Sequence, residues 1–410
     1  MAKERITEVA EMLHSPDKAV RLAAADRVKE LISLTLTLEE KRLALQAAAG
    51  EWGSRSPPEI SATFVLLALS HFSPESSSTT VELFGRFSGK ARAVTVEMLA
   101  SHGDAEAAKA YLLLARRWTS QGLMPEVSID AFARSKEAVN VLIPALIEFV
   151  GHIGLKEWIY SFFLEAMEKA LVAECDLTPV AEAVVGAYRP IREQIQAMQG
   201  PPGGDWPWED QYAEIRCEAT LLIDIMGYLP GEAVVEILQD ALGSNDPLLP
   251  FLASLGLLRH GYAVPADVFY AVASNPETRI RLYRALALID RLELFPAEFA
   301  SHEALAESNM VDWLVFPTEL GRPPHEIELM ETFTNITGQL NYYLFRFRTH
   351  EPHWSARDGW MAGLSGPFEI SKPPPAHVGE HTFSSFTHWD EKTPRGHFEA
   401  ILGSSKPARG

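Results

Sequence analysis

Residues 275–288 read NPETRIRLYRALAL. A turn residue and a proline open the stretch. An acidic residue, an aliphatic–arginine pair at Ile280-Arg281 and a run of small residues follow. Proline suits the first turn of a helix, where its missing N–H would be unbonded anyway. Residues 15–28, SPDKAVRLAAADRV, repeat this order around Val20-Arg21. Residues 213–222, AEIRCEATLL, keep the aliphatic–Arg–x–x–Ala core. Residues 244–256, SNDPLLPFLASLG, keep the turn but carry Pro250 where the arginine is expected. Arg216, Pro250 and Arg281 lie 34 and 31 residues apart, the length of one pair of antiparallel helices.

The rest of residues 1–308 agrees. Ile6, Val9, Ala10 and Leu13 recur in the three–four rhythm of a helix with one buried face. The His14–Asp17 segment breaks it, and the next helix carries Val20, Leu22, Ala24, Val28, Leu31 and Ile32. Thr37 precedes Leu38-Glu39-Glu40, a helix N-cap followed by acidic residues in the first turn. Short breaks recur at 54–59, 72–77, 101–106, 120–125 and 175–179. The spacing predicts helices of about 12 to 20 residues joined as antiparallel pairs. No strand pattern occurs in this region.

These features resemble HEAT repeats of the bacterial, phycobilin-lyase-like kind, well over residues 205–295 and less well over 13–32. The resemblance implies an α-solenoid. It also implies a bond between the acidic turn residue and the arginine of neighbouring repeats, and close packing through the small residues. Lyase activity does not carry over, because Cys175 and Cys217 have no nucleophile setting. Helical repeats present an extended binding surface rather than a fixed chemistry.

After Asn309 the texture changes. Residues 326–334 (EIELMETFT) and 341–349 (NYYLFRFRT) alternate as strands, with Tyr343, Phe345 and Phe347 on one face. Residues 360–364 and 382–386 read as further short strands, and Thr393-Pro394 opens a closing helix. The expected fold is mainly α: an α-solenoid of HEAT-like helical pairs with a small C-terminal α+β module. The module resembles a segment carried by uncharacterised bacterial HEAT-repeat proteins, and that resemblance implies no reaction. The organisation reads as a helical array over 1–199, a Pro/Gly/Trp linker over 200–208, HEAT-like repeats over 209–308, the module over 309–403 and a tail over 404–410. In the linker, Trp206 and Trp208 are either exposed partner anchors or residues that pin a loop onto a neighbouring helix.

Seven of the 13 histidines follow residue 308, which justifies weighing a metal site. His350 and His353 flank Glu351-Pro352, and in extended chain positions three apart point to opposite faces. His377, Glu380 and His381 match the H-x-x-E-H string of inverted zinc peptidases. That chemistry needs a helix, and the three prolines 373–375 and Gly379 oppose one. Residues 363–367 (GLSGP) suggest a nucleophile elbow but lack its second glycine, so a turn is expected. Arg346, Arg348 and Arg357 form either a small anion site or ion pairs with Glu319, Glu326 or Asp358. No catalytic residue, cofactor site or committed metal site emerges.

The formal net charge is -19. Residues 309–410 hold nine Lys+Arg against twelve Asp+Glu, a net of -3, so -16 lies in residues 1–308. This balance opposes general nucleic-acid binding and favours a basic protein partner. Two cysteines without metal spacing fit a reducing cytoplasm. The charged start MAKERITEVAEML does not resemble a signal peptide. No apolar run is long enough to cross a membrane. The leading expectation is a bacterial, cytoplasmic, non-enzymatic interaction protein that uses an acidic solenoid surface. A toxin-neutralising, immunity-type protein is a specific version. The alternative is a metal-dependent hydrolase sited on the histidine-rich module. Oligomeric state is not legible.

Overall fold

The computed structural model describes residues 2–33, 36–50, 58–202, 206–316, 319–335, 338–348, 359–371 and 387–404. The chain is mainly helical, with a small four-stranded antiparallel sheet near its C-terminus. Two compact units are present. One is Met1–Glu193 with Asp224–Val234; the other is Gln194–Ile223 with Val235–Gly410. Among the described residues, no helix is long and apolar enough to cross a membrane.

In the first unit, α1 (Ala2–Leu13), α3 (Leu38–Ala48), α5 (Pro74–Leu83) and α7 (Ala105–Trp118) stack in one layer. The second layer holds α2 (Lys18–Ile32), α4 (Pro58–Leu69) and α6 (Gly89–His102). Then follow α8 (Lys136–Leu146), α9 (Lys156–Glu168) and the first part of α10 (Thr178–Met198), which ends in the second unit. Local chemistry starts these helices. Asp17 Oδ1 accepts from Ala19 N, and Thr37 and Glu40 form a reciprocal capping box. Ser88 caps α6 and Asp104 caps α7.

Polar bonds about one repeat apart tie each layer together. In the first layer Arg5 pairs with buried Glu40 at 2.7 Å. Lys41 donates to His71 O and, at 3.3 Å, to Ser73 Oγ. Trp118 Nε1 donates to Val81 O at 3.1 Å, and Gly85 leaves room for its ring. In the second layer the links are histidines at helix C-termini. His71 Nε2 lies 2.8 Å from Ile32 O, and His102 Nε2 lies 2.7 Å from Leu69 O. A carbonyl can only accept, so a protonated Nε2 donates to a last-turn carbonyl in each contact; in the other tautomer His102 Nε2 accepts from Phe72 N, at 3.2 Å.

The second unit contains α13 (Leu248–Arg259), α14 (Ala266–Ser274), α15 (Pro276–Leu288) and α16 (His302–Leu314). Two further helices, α11 (Asp210–Met226) and α12 (Glu232–Ala241), begin or end in it. Phe251, Phe269, Ile280, Leu282, Tyr283 and Leu286 form its helical core.

The sheet runs in order β1 (Glu326–Thr334), β2 (Leu340–Arg348), β3 (Trp360–Glu369), β4 (Thr387–His388). Tyr343, Phe345 and Phe347 turn to α16 and meet Ala306, Met310 and Leu314. On the other face Phe333, Leu344, Ala362 and Leu364 meet Ile401 of α17 (Pro394–Ser404). As the N-cap reading requires, Thr393 Oγ1 accepts from Gly396 N at 3.2 Å.

Three expectations change. The 363–367 stretch is not a turn: it lies inside β3. Helices cover both faces of that strand, so its residues do not alternate in polarity, and small residues leave room for the neighbours. An added Cβ at Gly363 would sit 3.0 Å from Phe347 and 3.1 Å from Met310. The strand read at 341–349 begins one residue earlier, at Leu340. The boundary read between 308 and 309 falls within α16, which serves both the helices and the sheet. The strand read at 382–386 lies outside the described residues.

Gly366 has φ +123, and a Cβ there would lie 2.8 Å from the carbonyl oxygen of Asn341. Gly366→Ala should therefore lower stability by about 1–3 kcal/mol. Gly363→Ala should cost less, because flexible Met310 can move aside. Urea unfolding of the two variants ranks them; the reverse order would refute this account of β3.

Candidate functional site

The most concentrated polar group is a buried charge cluster in the second unit. Arg216 on α11 donates through Nε to Asp246 Oδ2 at 2.8 Å and through Nη2 to Oδ1 at 3.0 Å. The same Nη2 reaches Glu277 Oε1 at 2.9 Å. Tyr212 OH donates to Asp246 Oδ2 at 3.1 Å, and the Trp208 ring lies 4.7 Å from the guanidinium carbon. Arg216, Asp246 and Glu277 are all buried. Asp246 lies in the turn before α13, and Glu277 in the first turn of α15. Pro250 places no donor between them, and Arg216 serves both turns.

Further along, Arg279 pairs with Glu307 at 2.7 Å and donates to Ala304 O at 2.9 Å. Arg281 pairs with Asp312 at 2.7 Å. Arg284 donates to Asn309 Oδ1 at 2.8 Å. The N-terminal copy differs: Arg21 donates to Ser15 O and Pro16 O, within its own turn.

These bonds set the surface charge. Residues 209–308 hold six arginines and no lysine against sixteen Asp+Glu, a net of -10. Four of the six arginines, Arg216, Arg279, Arg281 and Arg284, are engaged in the contacts above. Glu209, Asp210, Glu214, Glu236 and Asp267 are exposed. Most of these arginines thus point inward, while these five carboxylates face outward.

Chemically the cluster holds helices together rather than moving protons. A guanidinium stays charged across the accessible pH range. Burial pushes the Glu277 carboxyl above its usual range; Asp246 adds to this and Arg216 opposes it. Among the described residues, no group of three or more His, Cys, Asp or Glu side chains is placed to hold a metal ion.

The residues singled out in the sequence fall in several places. Trp206 is buried, so it cannot serve as an exposed anchor. Its Nε1 donates to Pro201 O at 2.9 Å, and its ring meets Tyr212 edge-on at 4.6 Å. Half-buried Trp208 covers Arg216. Arg346 pairs with Glu328, and Arg348 with Glu326, across β1 and β2, while both flank the Trp360 ring. Arg357, His350, His353, His377, Glu380 and His381 lie outside the described residues. Of the other module histidines, His397 is buried and stacks on Trp389 at 4.4 Å. Burial pushes its pKa down, against the pull of Asp390. The link from Arg216 to Glu277, 61 residues away, has no local signal in the sequence. The two acidic turns could have suggested it.

Set against known proteins, the chain matches no family model, no curated protein and no solved structure.

Removing Arg216 strands two buried carboxylates, so Arg216→Met should cost about 3–5 kcal/mol. Glu277 behaves oppositely. Its raised folded pKa means the native chain holds that proton more tightly than the unfolded chain, which titrates near about 4.3. Stability from this group is present below that pH and is lost as pH rises through the folded pKa. Glu277→Gln should therefore match or exceed the parent protein at neutral pH, with an advantage that shrinks toward about pH 4. Denaturant unfolding across that range checks both. A neutral-pH advantage for Glu277 over Gln would contradict the assignment.

Proposed function

We propose that the protein is a non-enzymatic interaction protein whose helical array offers an acidic surface to a basic protein partner. The carrying observation is the segregation of charge: four of the six arginines of residues 209–308 are drawn into contacts between helices, while Glu209, Asp210, Glu214, Glu236 and Asp267 stay exposed. A surface of one sign steers and selects an oppositely charged partner. It repels nucleic acid, whose binding depends on Lys and Arg contacts to phosphate. Cys175 and Cys217 form no disulfide, which fits the cytoplasmic setting of this reading. Neutralisation of a basic toxin is one specific form of the same chemistry. The resemblance to HEAT repeats supports the reading through the helical pairs and their arginine links.

The test is affinity capture from the host, repeated with Glu214→Lys, Glu236→Lys and Asp267→Lys combined. These side chains are exposed, so the fold should be unchanged by circular dichroism. A partner captured by the parent protein should be released as salt rises, and the triple variant should bind it about tenfold or more weakly. A partner indifferent to both salt and charge reversal would sink the acidic-surface reading.

A further inference from the structure

Residues 209–308 are all described, and their exposed apolar side chains are unevenly placed. Five large hydrophobic residues of this stretch are exposed: Tyr262, Tyr270, Leu288, Ile289 and Leu292. Four of them, all but Tyr270, stand where α13 and α15 end. Leu288 is 87% exposed and Tyr262 47%.

The Arg216 grip brings these residues to one edge. It holds the turn before α13 and the first turn of α15 at a single guanidinium, so the two helices start together. Between them in the chain, α14 runs back and packs on both. The two helices have 12 and 13 residues, about 18 and 20 Å, so they also finish together. They finish alike. Tyr262 N donates to Leu257 O and Gly261 N to Leu258 O; Arg291 N donates to Leu286 O and Asp290 N to Ala287 O. Gly261 at φ +79 and Asp290 at φ +55 supply the left-handed residue of this closure. At the matching position before it, α13 shows Arg259 to water and α15 shows Leu288.

The same edge carries both signs of charge. Arg259 and Arg291 are the two exposed arginines of residues 209–308. Asp290 and Glu293 are exposed beside them in the chain, and Asp267 is exposed where α14 begins. That is three carboxylates against two arginines, where the whole stretch has sixteen against six. Elsewhere a second copy of so acidic a chain is repelled. Here apolar side chains are flanked by opposite charges, so the edge is complementary to itself. A two-fold axis lays the α13 end of one copy on the α15 end of the other.

We propose that this edge joins two copies of the chain, with Leu288 of each copy against Tyr262 of the other and Arg259 across from Glu293. An apolar centre with a charged rim is the usual anatomy of a protein interface. Glu293 pairs with Arg291 of its own chain at 2.6 Å, but that pair is exposed and contributes little to the fold. The dimer is separate from the acidic surface proposed above, and neither reading needs the other.

The full chain is followed by analytical ultracentrifugation from about 1 to 100 μM, a range that brackets micromolar association. Its mass should rise from 45.4 kDa toward twice that value. Leu288→Asp should weaken association at least about tenfold. The side chain is almost wholly exposed, so circular dichroism and melting temperature should not change. Arg259→Glu and Glu293→Arg should each weaken association about tenfold, because like charges then face each other in both halves of the interface. Mixing these two variants in equal amounts should restore the dimer, since each copy then meets its opposite sign twice. The proposal is overturned if the parent protein stays at 45.4 kDa up to about 100 μM. It is equally overturned if Leu288→Asp associates like the parent protein, or if the mixture stays monomeric.

Discussion

The second unit depends on one interaction, the forked grip of Arg216 on Asp246 with its second reach to Glu277. A helical pair buries only part of its surface within itself, and the rest must be covered by its neighbours. Apolar contact drives that stacking but tolerates small rotations and slips. A bidentate arginine–carboxylate pair does not, because its two parallel bonds specify direction as well as distance. Such a pair in a buried place contributes little net stability once desolvation is counted, yet breaking one partner is costly. Its physical role here is to set how α11, the turn before α13 and the first turn of α15 sit against one another. The carbonyl links of His71 and His102 do comparable work in the first unit, with single ring-to-backbone bonds in place of a carboxylate pair.

That use of arginine determines the outside of the molecule. With no lysine in residues 209–308 and four of the six arginines engaged between helices, only Arg259 and Arg291 remain exposed against the exposed carboxylates. The resulting self-repulsion opposes compactness. Inward ion pairs partly offset it by placing positive charge at the centre of the negative shell. Fold and surface chemistry are thus two results of one choice of residues.

How much of this could be read beforehand depended on how local the cause was. The Thr37 and Thr393 caps are written within four residues, and both act where expected. The alternation of Tyr343, Phe345 and Phe347 reports a strand with one aromatic face, and all three are buried. The turn–Arg spacing showed the helical pairs because it repeats. By contrast, β3 loses its alternation because both faces are covered, and its Gly363, Ser365 and Gly366 then read as a turn. The histidine links were hidden for another reason: a lone histidine at a helix end has no pattern, and its partner carbonyl carries no sequence signature. Trp206 shows the same limit. Whether a tryptophan is an anchor or a plug, or an arginine is paired or alone, depends on residues brought near by folding.

The joint between helices and sheet follows from α16 having two sides that need cover. On one side Asp312 takes Arg281, Ser308 accepts from Ile280 N, and Asn309 takes Arg284, all from α15. On the other, Ala306, Met310 and Leu314 lie under the aromatic face of β2. Asn309 touches both sides, because its Nδ2 also faces Ser365 Oγ of β3 at 3.4 Å. Without the sheet, that apolar side would face water as the open end of a helical stack. Repeat arrays need such an end closed. The sheet closes it with a flat surface of Tyr343, Phe345 and Phe347, so the strands stand where another helical pair would otherwise be required. The change of texture after Asn309 therefore marks where the chain stops repeating, while α16 itself still belongs to the row of helices that α15 precedes.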